Sequence, residues 1–165
     1  MLAAVSDTVT NQGVVGAARI PDVHPAPPDA FLLVLDGLAD PGNAGTILRT
    51  FRAAGGHYVL TTPGTTDLWS PKAVRAGMGA HFHLEIASAE PLPDRPLLLA
   101  SAGAGVPYTE VDWSFSRGLI IGGEAHGAGP AAQRAQRVTI PMAPGVESLN
   151  AAAAAAVLLF AALQP

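Results

Sequence analysis

Residues 117–160 read RGLIIGGEAHGAGPAAQRAQRVTIPMAPGVESLNAAAAAAVLLF, and this stretch decides the fold. An apolar run, Leu119 to Ile121, ends in Gly122-Gly123-Glu124. A second run, Val138 to Ile140, ends in Pro141-Met142. Gly145 and Ser148-Leu149-Asn150 then open an alanine-rich helix predicted over 150–163. Two buried strands therefore feed glycine-rich loops that carry a carboxylate, a hydroxyl and an amide. Ligand sites of α/β proteins are built this way, at the carboxyl ends of parallel strands. Six consecutive alanines give the last helix high intrinsic propensity and a flat face, suited to core packing or to a subunit interface.

Upstream, the same alternation repeats. Phe31 to Leu35 is an uninterrupted apolar run, the mark of a strand buried on both faces. Asp40-Pro41-Gly42 is a turn signal, Asn43 a predicted N-cap, and Ile47, Leu48, Phe51 and Ala54 recur at helical spacing until Gly55-Gly56. Residues 57–62 read as a strand, 71–79 as a short helix, and 82–86 alternate as a strand should. Leu97 to Ser101 is a further buried strand, ending in the small turn Ser101-Ala102-Gly103-Ala104-Gly105. Residues 13–18 are small and apolar, a predicted first strand, and 21–28 are a proline-rich loop. Strand and helix alternate, so the predicted fold is α/β with a mostly parallel sheet flanked by helices. Neither a dinucleotide fingerprint, a Walker A motif nor a G-x-S-x-G elbow is present.

Length and composition point to one domain with a real core: 165 residues, 49% hydrophobic and 13% charged. No unbroken apolar stretch reaches the roughly 20 residues of a membrane helix. The start lacks a signal-peptide pattern, and the absence of cysteine removes disulfides and thiolate metal sites. A cytoplasmic protein is expected. His81 and His83 sit two apart on one side of the predicted 82–86 strand without a third ligand, so no metal is expected. A net charge of −4 is unusual for a nucleic-acid binder. Yet six of the nine basic residues form i, i+3 pairs, Arg49/Arg52, Lys72/Arg75 and Arg134/Arg137, each placed on one face of a helix if helical. These six are the candidate nucleic-acid-binding residues, against the alternative of solvated helix faces.

Three segments together resemble the SpoU (TrmH) family of RNA ribose 2′-O-methyltransferases, within the SPOUT superfamily. They are Asp40-Pro41-x-Asn43-x-Gly45-Thr46-Ile47-Leu48-Arg49-Thr50, then Gly122-Gly123-Glu124-x-x-Gly127, then Ile140-Pro141-Met142 with Val146-x-Ser148-Leu149-Asn150. Ser70 to Ala80 is similar to the family's linking region. The resemblance covers residues 13–165, the expected methyltransferase domain. Residues 1–12 are expected to be the trailing linker of a preceding RNA-binding domain. Ala125-His126 depart from the family pattern, where a glycine often follows the glutamate.

The resemblance implies a deep C-terminal trefoil knot and a homodimer whose site draws on both subunits. It implies S-adenosyl-L-methionine as cofactor, against Ala100, Ser101, Ala102, Gly103, Gly122, Ile140, Met142 and Leu149. It implies methylation of a ribose 2′-hydroxyl in rRNA or tRNA, with Arg49, Asn43, Glu124, Ser148 and Asn150 as the catalytic set. Arg49 is expected to bind phosphate and stabilise the developing alkoxide, since a guanidinium with a pKa of about 12 or more is a poor base. Glu124 and Ser148 would orient it. The alternatives are a catalytically silent RNA-binding relative, a base-nitrogen methyltransferase and a general nucleotide-binding regulator.

Overall fold

Leu32–Asp36 form strand β1, and all five residues are buried, as a strand covered on both faces requires. In this computed structural model residues 16–88, 91–123, 132 and 135–164 are described. After β1 come helix α1 (Pro41–Ala53), β2 (Tyr58–Thr61), helix α2 (Pro71–Gly77) and β3 (Glu85–Ser88). Then follow β4 (Leu98–Ala100), β5 (Val106–Pro107), β6 (Gly118–Gly122), β7 (Gln136–Thr139) and helix α3 (Ala151–Leu163). The seven strands make one sheet in the order β3-β2-β1-β6-β4-β7-β5, and every pairing is parallel.

The order positions the site. The chain lays β2 and β3 on one side of β1. It then crosses to β4 and β5, leaving gaps that β6 and β7 fill later. Asp36 pairs with Gly122, and Ala100 with Val138, so the carboxyl ends of β1, β6, β4 and β7 come level. Leu33, Leu35, Leu119 and Ile121 face α1 and α3, while Val34, Leu99 and Ile120 face the other side.

Phe51 anchors α1. It is fully buried, and its ring lies flat over Gly56, where any Cβ would collide with it. Gly45 does the same for the α1–α2 contact: a Cβ there would run into the Ala73 carbonyl. In α3, Ala151, Ala152, Ala155, Leu158 and Leu159 are buried at helical spacing, while Val157 and Phe160 remain exposed. No described helix is long and apolar enough to cross a membrane.

Several expectations are corrected. Helix α1 begins at Pro41 with Asp40, not Asn43, as N-cap; Asp40 Oδ1 accepts from the Asn43 backbone N–H at 2.7 Å. The Asp-Pro-Gly turn signal is the helix's first turn, because the fixed φ of proline suits N1. Residues 80–83 form a 3₁₀ turn, and the strand begins only at Glu85. Met78 and Gly79 both adopt positive φ, which turns the chain so that His81 is buried while Phe82 and His83 are exposed. The two histidines therefore do not share a side. Residues 16–18 are exposed and form no strand; glycine and alanine bury too little apolar surface to offset the cost of ordering them. Arg137 lies on β7, so it shares no helix face with its predicted partner. Arg134, Glu124, Ala125 to Gly127 and residues 1–15, including the first half of the predicted 13–18 strand, lie outside the described residues.

Candidate functional site

The carboxyl ends of β4, β6 and β7, with the first two turns of α3, enclose a cavity of about 410 Å³. Ala100, Ser101 and Ala102 form one wall, and Ile121, Gly122 and Gly123 a second. Val138, Ile140 and Met142 supply a third, and Ser148, Leu149, Ala151, Ala154 and Leu158 close the cavity from the helix side. Small residues dominate where the strands end, which leaves backbone N–H and C=O edges open to a ligand. Gly123 is obligatory for space, since a Cβ there would strike the Gly37 carbonyl. Its N–H donates to the Asp36 carbonyl at 2.9 Å, which locks the ends of β1 and β6 together. The Ser101 N–H donates to the Val138 carbonyl at 2.9 Å and does the same for β4 and β7.

Asn150, between the lining residues Leu149 and Ala151, has two jobs. Its Oδ1 accepts from the N–H groups of Ala152 at 2.9 Å and Ala153 at 3.3 Å, capping α3. Its Nδ2 donates to Asn43 Oδ1 at 3.1 Å, tying the start of α3 to the first turn of α1. Asp40 carries the tie onward. Its Oδ1 caps α1, and its Oδ2 receives Lys72 Nζ at 2.9 Å from the start of α2. The Lys72 hydrogen bond, joined by the Asn43 N–H, holds the Asp40 carboxyl below its ordinary range. Three helix starts are thus chained together beside the cavity.

Of the residues assigned to a cofactor by sequence, Ala100, Ser101, Ala102, Gly122, Ile140, Met142 and Leu149 all line the cavity, and Gly103 lies in the adjoining turn at φ +79. Of the catalytic set, Ser148 lines the cavity; Asn43 and Asn150 do not, but are hydrogen-bonded to each other, Asn150 between the lining residues Leu149 and Ala151. Arg49 does not line it. It is exposed on α1, six residues or about 9 Å along the helix axis from Asn43, and its side chain bonds to no described residue. Among the basic pairs, Arg52 and Arg75 are exposed on α1 and α2, and Lys72 is engaged by Asp40. Arg137 belongs to the cavity wall, its only cation among the described lining residues.

Sequence reasoning missed Leu99, Ile121, Gly123 and the α3 stripe Ala151, Ala154 and Leu158. The i, i+3, i+7 spacing of that stripe from the Asn150 cap was the available signal. It also missed Asp36, buried at the end of β1, whose carboxylate accepts from Thr62 Oγ1 and so fixes the loop beside Gly37.

Residues 30–160 match the model of the SpoU rRNA Methylase family. The chain belongs to the SpoU rRNA methylase family. Mitochondrial rRNA methyltransferase 3 of Mus musculus is 33% identical over 94% of this chain and 53% of its own. The 23S rRNA (guanosine(2553)-2′-O)-methyltransferase RlmP of Bacillus subtilis is 34% identical over 95% of this chain and 67% of its own. Among solved structures, the SpoU methyltransferase AviRb from Streptomyces viridochromogenes, in complex with AdoMet, superposes with a TM-score of 0.75 at 28% identity, covering 85% of this chain and 62% of that one. This SpoU-family chain spans about half the length of its mitochondrial relatives.

Proposed function

We propose that this SpoU-family chain transfers a methyl group from S-adenosylmethionine to a ribose 2′-hydroxyl in structured RNA. The observation that carries the reading is the strand-end cavity, into which the third motif delivers Ile140, Met142, Ser148 and Leu149. Its volume of about 410 Å³ falls within the range of small-ligand sites. Its chemistry fits the cofactor. Ile140, Met142, Leu149 and Leu158 offer an apolar slot for adenine, and the Ala100 to Ala102 and Gly122-Gly123 edges offer backbone donors and acceptors. Arg137 brings a positive charge suited to the amino-acid carboxylate. When bound, the cofactor would supply an electrophilic methyl group on a sulfonium and leave as S-adenosylhomocysteine, with the hydroxyl proton passing to solvent. The AdoMet complex of AviRb and the 2′-O in the name of the Bacillus relative support this donor and this acceptor.

The chain's own residues then position and stabilise. Ser148 offers its hydroxyl at the cavity wall. The Asn43–Asn150 link fixes the start of α3 against α1, which matters because a bimolecular transfer gains most from fixed alignment. Arg49 binds RNA phosphate and lowers the energy of the developing alkoxide. Glu124 follows Gly122-Gly123 in sequence, and we assign it the orienting role. The exposure of Arg49 away from its own cavity supports a homodimer in which it serves the partner's site. Exposed Leu149, Val157 and Phe160, apolar and flanking the same helix, support such an interface. Entry of β6 and β7 into gaps left between earlier strands supports the deep trefoil knot. We place the protein in the cytoplasm, as befits a relative of a bacterial rRNA enzyme.

The test is chemical. Ribosomal and transfer RNA from cells lacking the gene is incubated with the protein and methyl-tritiated S-adenosylmethionine, then digested to nucleosides. The proposal expects label in a 2′-O-methylnucleoside. Label in a methylated base overturns the ribose assignment. Cofactor binding without transfer to any RNA supports a silent relative instead.

A further inference from the structure

A surface outside the cavity has a composition that the reading above does not explain. Residues 41–83 hold four of the nine Lys and Arg residues but only one of the thirteen Asp and Glu residues, Asp67. Asp67 spends an oxygen on the Trp69 backbone N–H at 2.9 Å. This acidic chain has therefore cleared its negative charge from one segment. Arg49, Arg52 and Arg75 are exposed there. Residues 49 and 52 follow Gly45 by four and seven positions, so they continue the ridge of α1 that Gly45 presses against α2.

At the end of α2, just after Arg75, two apolar side chains are bare. Met78 is 72% exposed and Phe82 65% exposed. Behind them stands Trp69, its ring 6.5 Å from Phe82 in an edge-on arrangement and 5.3 Å from His81. Met78 is also the one non-glycine with positive φ among the described residues, at +47°. Glycine or asparagine would hold that left-handed cap at lower conformational cost. A solvent-facing methionine retained in strained backbone, beside a solvent-facing phenylalanine, gains nothing for the fold. Both pay off if a flat, polarisable partner covers them.

We infer that Phe82 and Met78, backed by Trp69, form a stacking platform for an unpaired RNA base, with Arg49, Arg52 and Arg75 taking the adjoining phosphates. This deepens the proposed function and rests on it: the platform would hold a nucleotide flanking the target while the target enters the cavity. Charge decides the occupant. An apolar protein partner would have no use for three guanidinium groups that meet no carboxylate among the described residues, whereas single-stranded RNA needs both a π-face and cations. Base stacking tolerates any sequence, so the platform selects looped over paired RNA rather than a particular base.

The experiment compares a fluorescein-labelled single-stranded 12-mer of uridine with a 12-base-pair RNA duplex, at low salt, on the full 165-residue chain. Phe82→Ala is expected to weaken single-strand binding at least about fivefold, as the loss of one stacked base does, and to leave duplex binding little changed. Met78→Asn, which suits the left-handed cap, is expected to weaken single-strand binding while raising the unfolding temperature. Arg75→Gln should lower the slope of log affinity against log salt by about 0.7. Phe115→Ala, an exposed phenylalanine elsewhere, is the control. Single-strand affinity unchanged in Phe82→Ala, or reduced equally in Phe115→Ala, overturns the platform. So does a change of mass in ultracentrifugation with RNA affinity intact, which would make the patch a contact between copies. S-adenosylmethionine binding is measured alongside. If the wild type binds the cofactor but not the 12-mer, the platform fails alone; if it binds no cofactor, the proposed function fails.

Discussion

Asn150→Ala should cost this protein more than its exposed position suggests. The substitution removes the cap oxygen that serves the Ala152 and Ala153 N–H groups, and also the amide that reaches Asn43. Loss of an asparagine N-cap costs about 1 kcal/mol. Loss of an exposed side-chain hydrogen bond adds about 0.5 kcal/mol. The expected destabilisation is about 1.5 kcal/mol, which for a domain of this length lowers the unfolding midpoint by about 3–6 °C. Asn43→Ala removes only the link, because Asp40 caps α1 through the Asn43 backbone N–H, which alanine retains. It should cost about 0.5 kcal/mol. Urea unfolding of the two single variants and the double variant closes a cycle. The double variant should cost about 0.5 kcal/mol less than the sum, since the shared bond can be lost only once. Strict additivity, or an Asn43→Ala penalty equal to that of Asn150→Ala, would refute the account of Asn150 as both cap and tie.

Gly45→Ala reverses the usual gain of alanine over glycine in a helix, because its Cβ would meet the Ala73 carbonyl; about 1–3 kcal/mol of destabilisation is expected in urea. His81 is buried, with Nε2–H donating to the Leu68 carbonyl at 2.8 Å and Nδ1 without a hydrogen-bond partner among the described residues. Desolvation lowers its pKa below the ordinary 6.5. The unfolded chain then binds the proton more readily, so stability is full above pH 6.5 and falls as the pH drops through the folded pKa. The urea midpoint should decline from pH 7 to pH 5, and His81→Gln, which retains a donor for Leu68, should flatten that decline. Asp40→Ala should lower the unfolding temperature more than Lys72→Ala, since Asp40 caps α1 as well as pairing with Lys72. Equal shifts in calorimetry would make the ion pair, not the cap, the source of the effect.

The parallel sheet was legible wherever apolar runs were unbroken: Leu32 to Leu35, Leu98 to Leu99 and Leu119 to Ile121 all became strands. Periodicity served poorly near the chain's turns. His81, Phe82 and His83 alternate as a strand should, but Met78 and Gly79 set the backbone, and a sequence does not display φ. Asp40 was hidden as a cap because proline and glycine after it also spell a turn. The cavity's place at the strand ends was legible from the glycine-rich loops, and its individual lining residues through family motifs. Motif order brings Gly122, Ile140 and Leu149 to mind together, whereas the parallel register of β4, β6 and β7 is what places them around one space. Arg49 shows the limit. Its helix and face follow from the sequence, yet its absence from the cavity wall does not.

The central claim is that the cavity at the ends of β4, β6 and β7 holds the methyl donor. Calorimetric titration of S-adenosylmethionine tests it most directly, on the wild type and on Ala154→Leu, which fills the cavity from α3. The account expects one site per chain in the wild type, and loss of that binding in the variant with cooperative unfolding preserved. No heat of binding with the wild type, or equal binding by a folded Ala154→Leu, would contradict it.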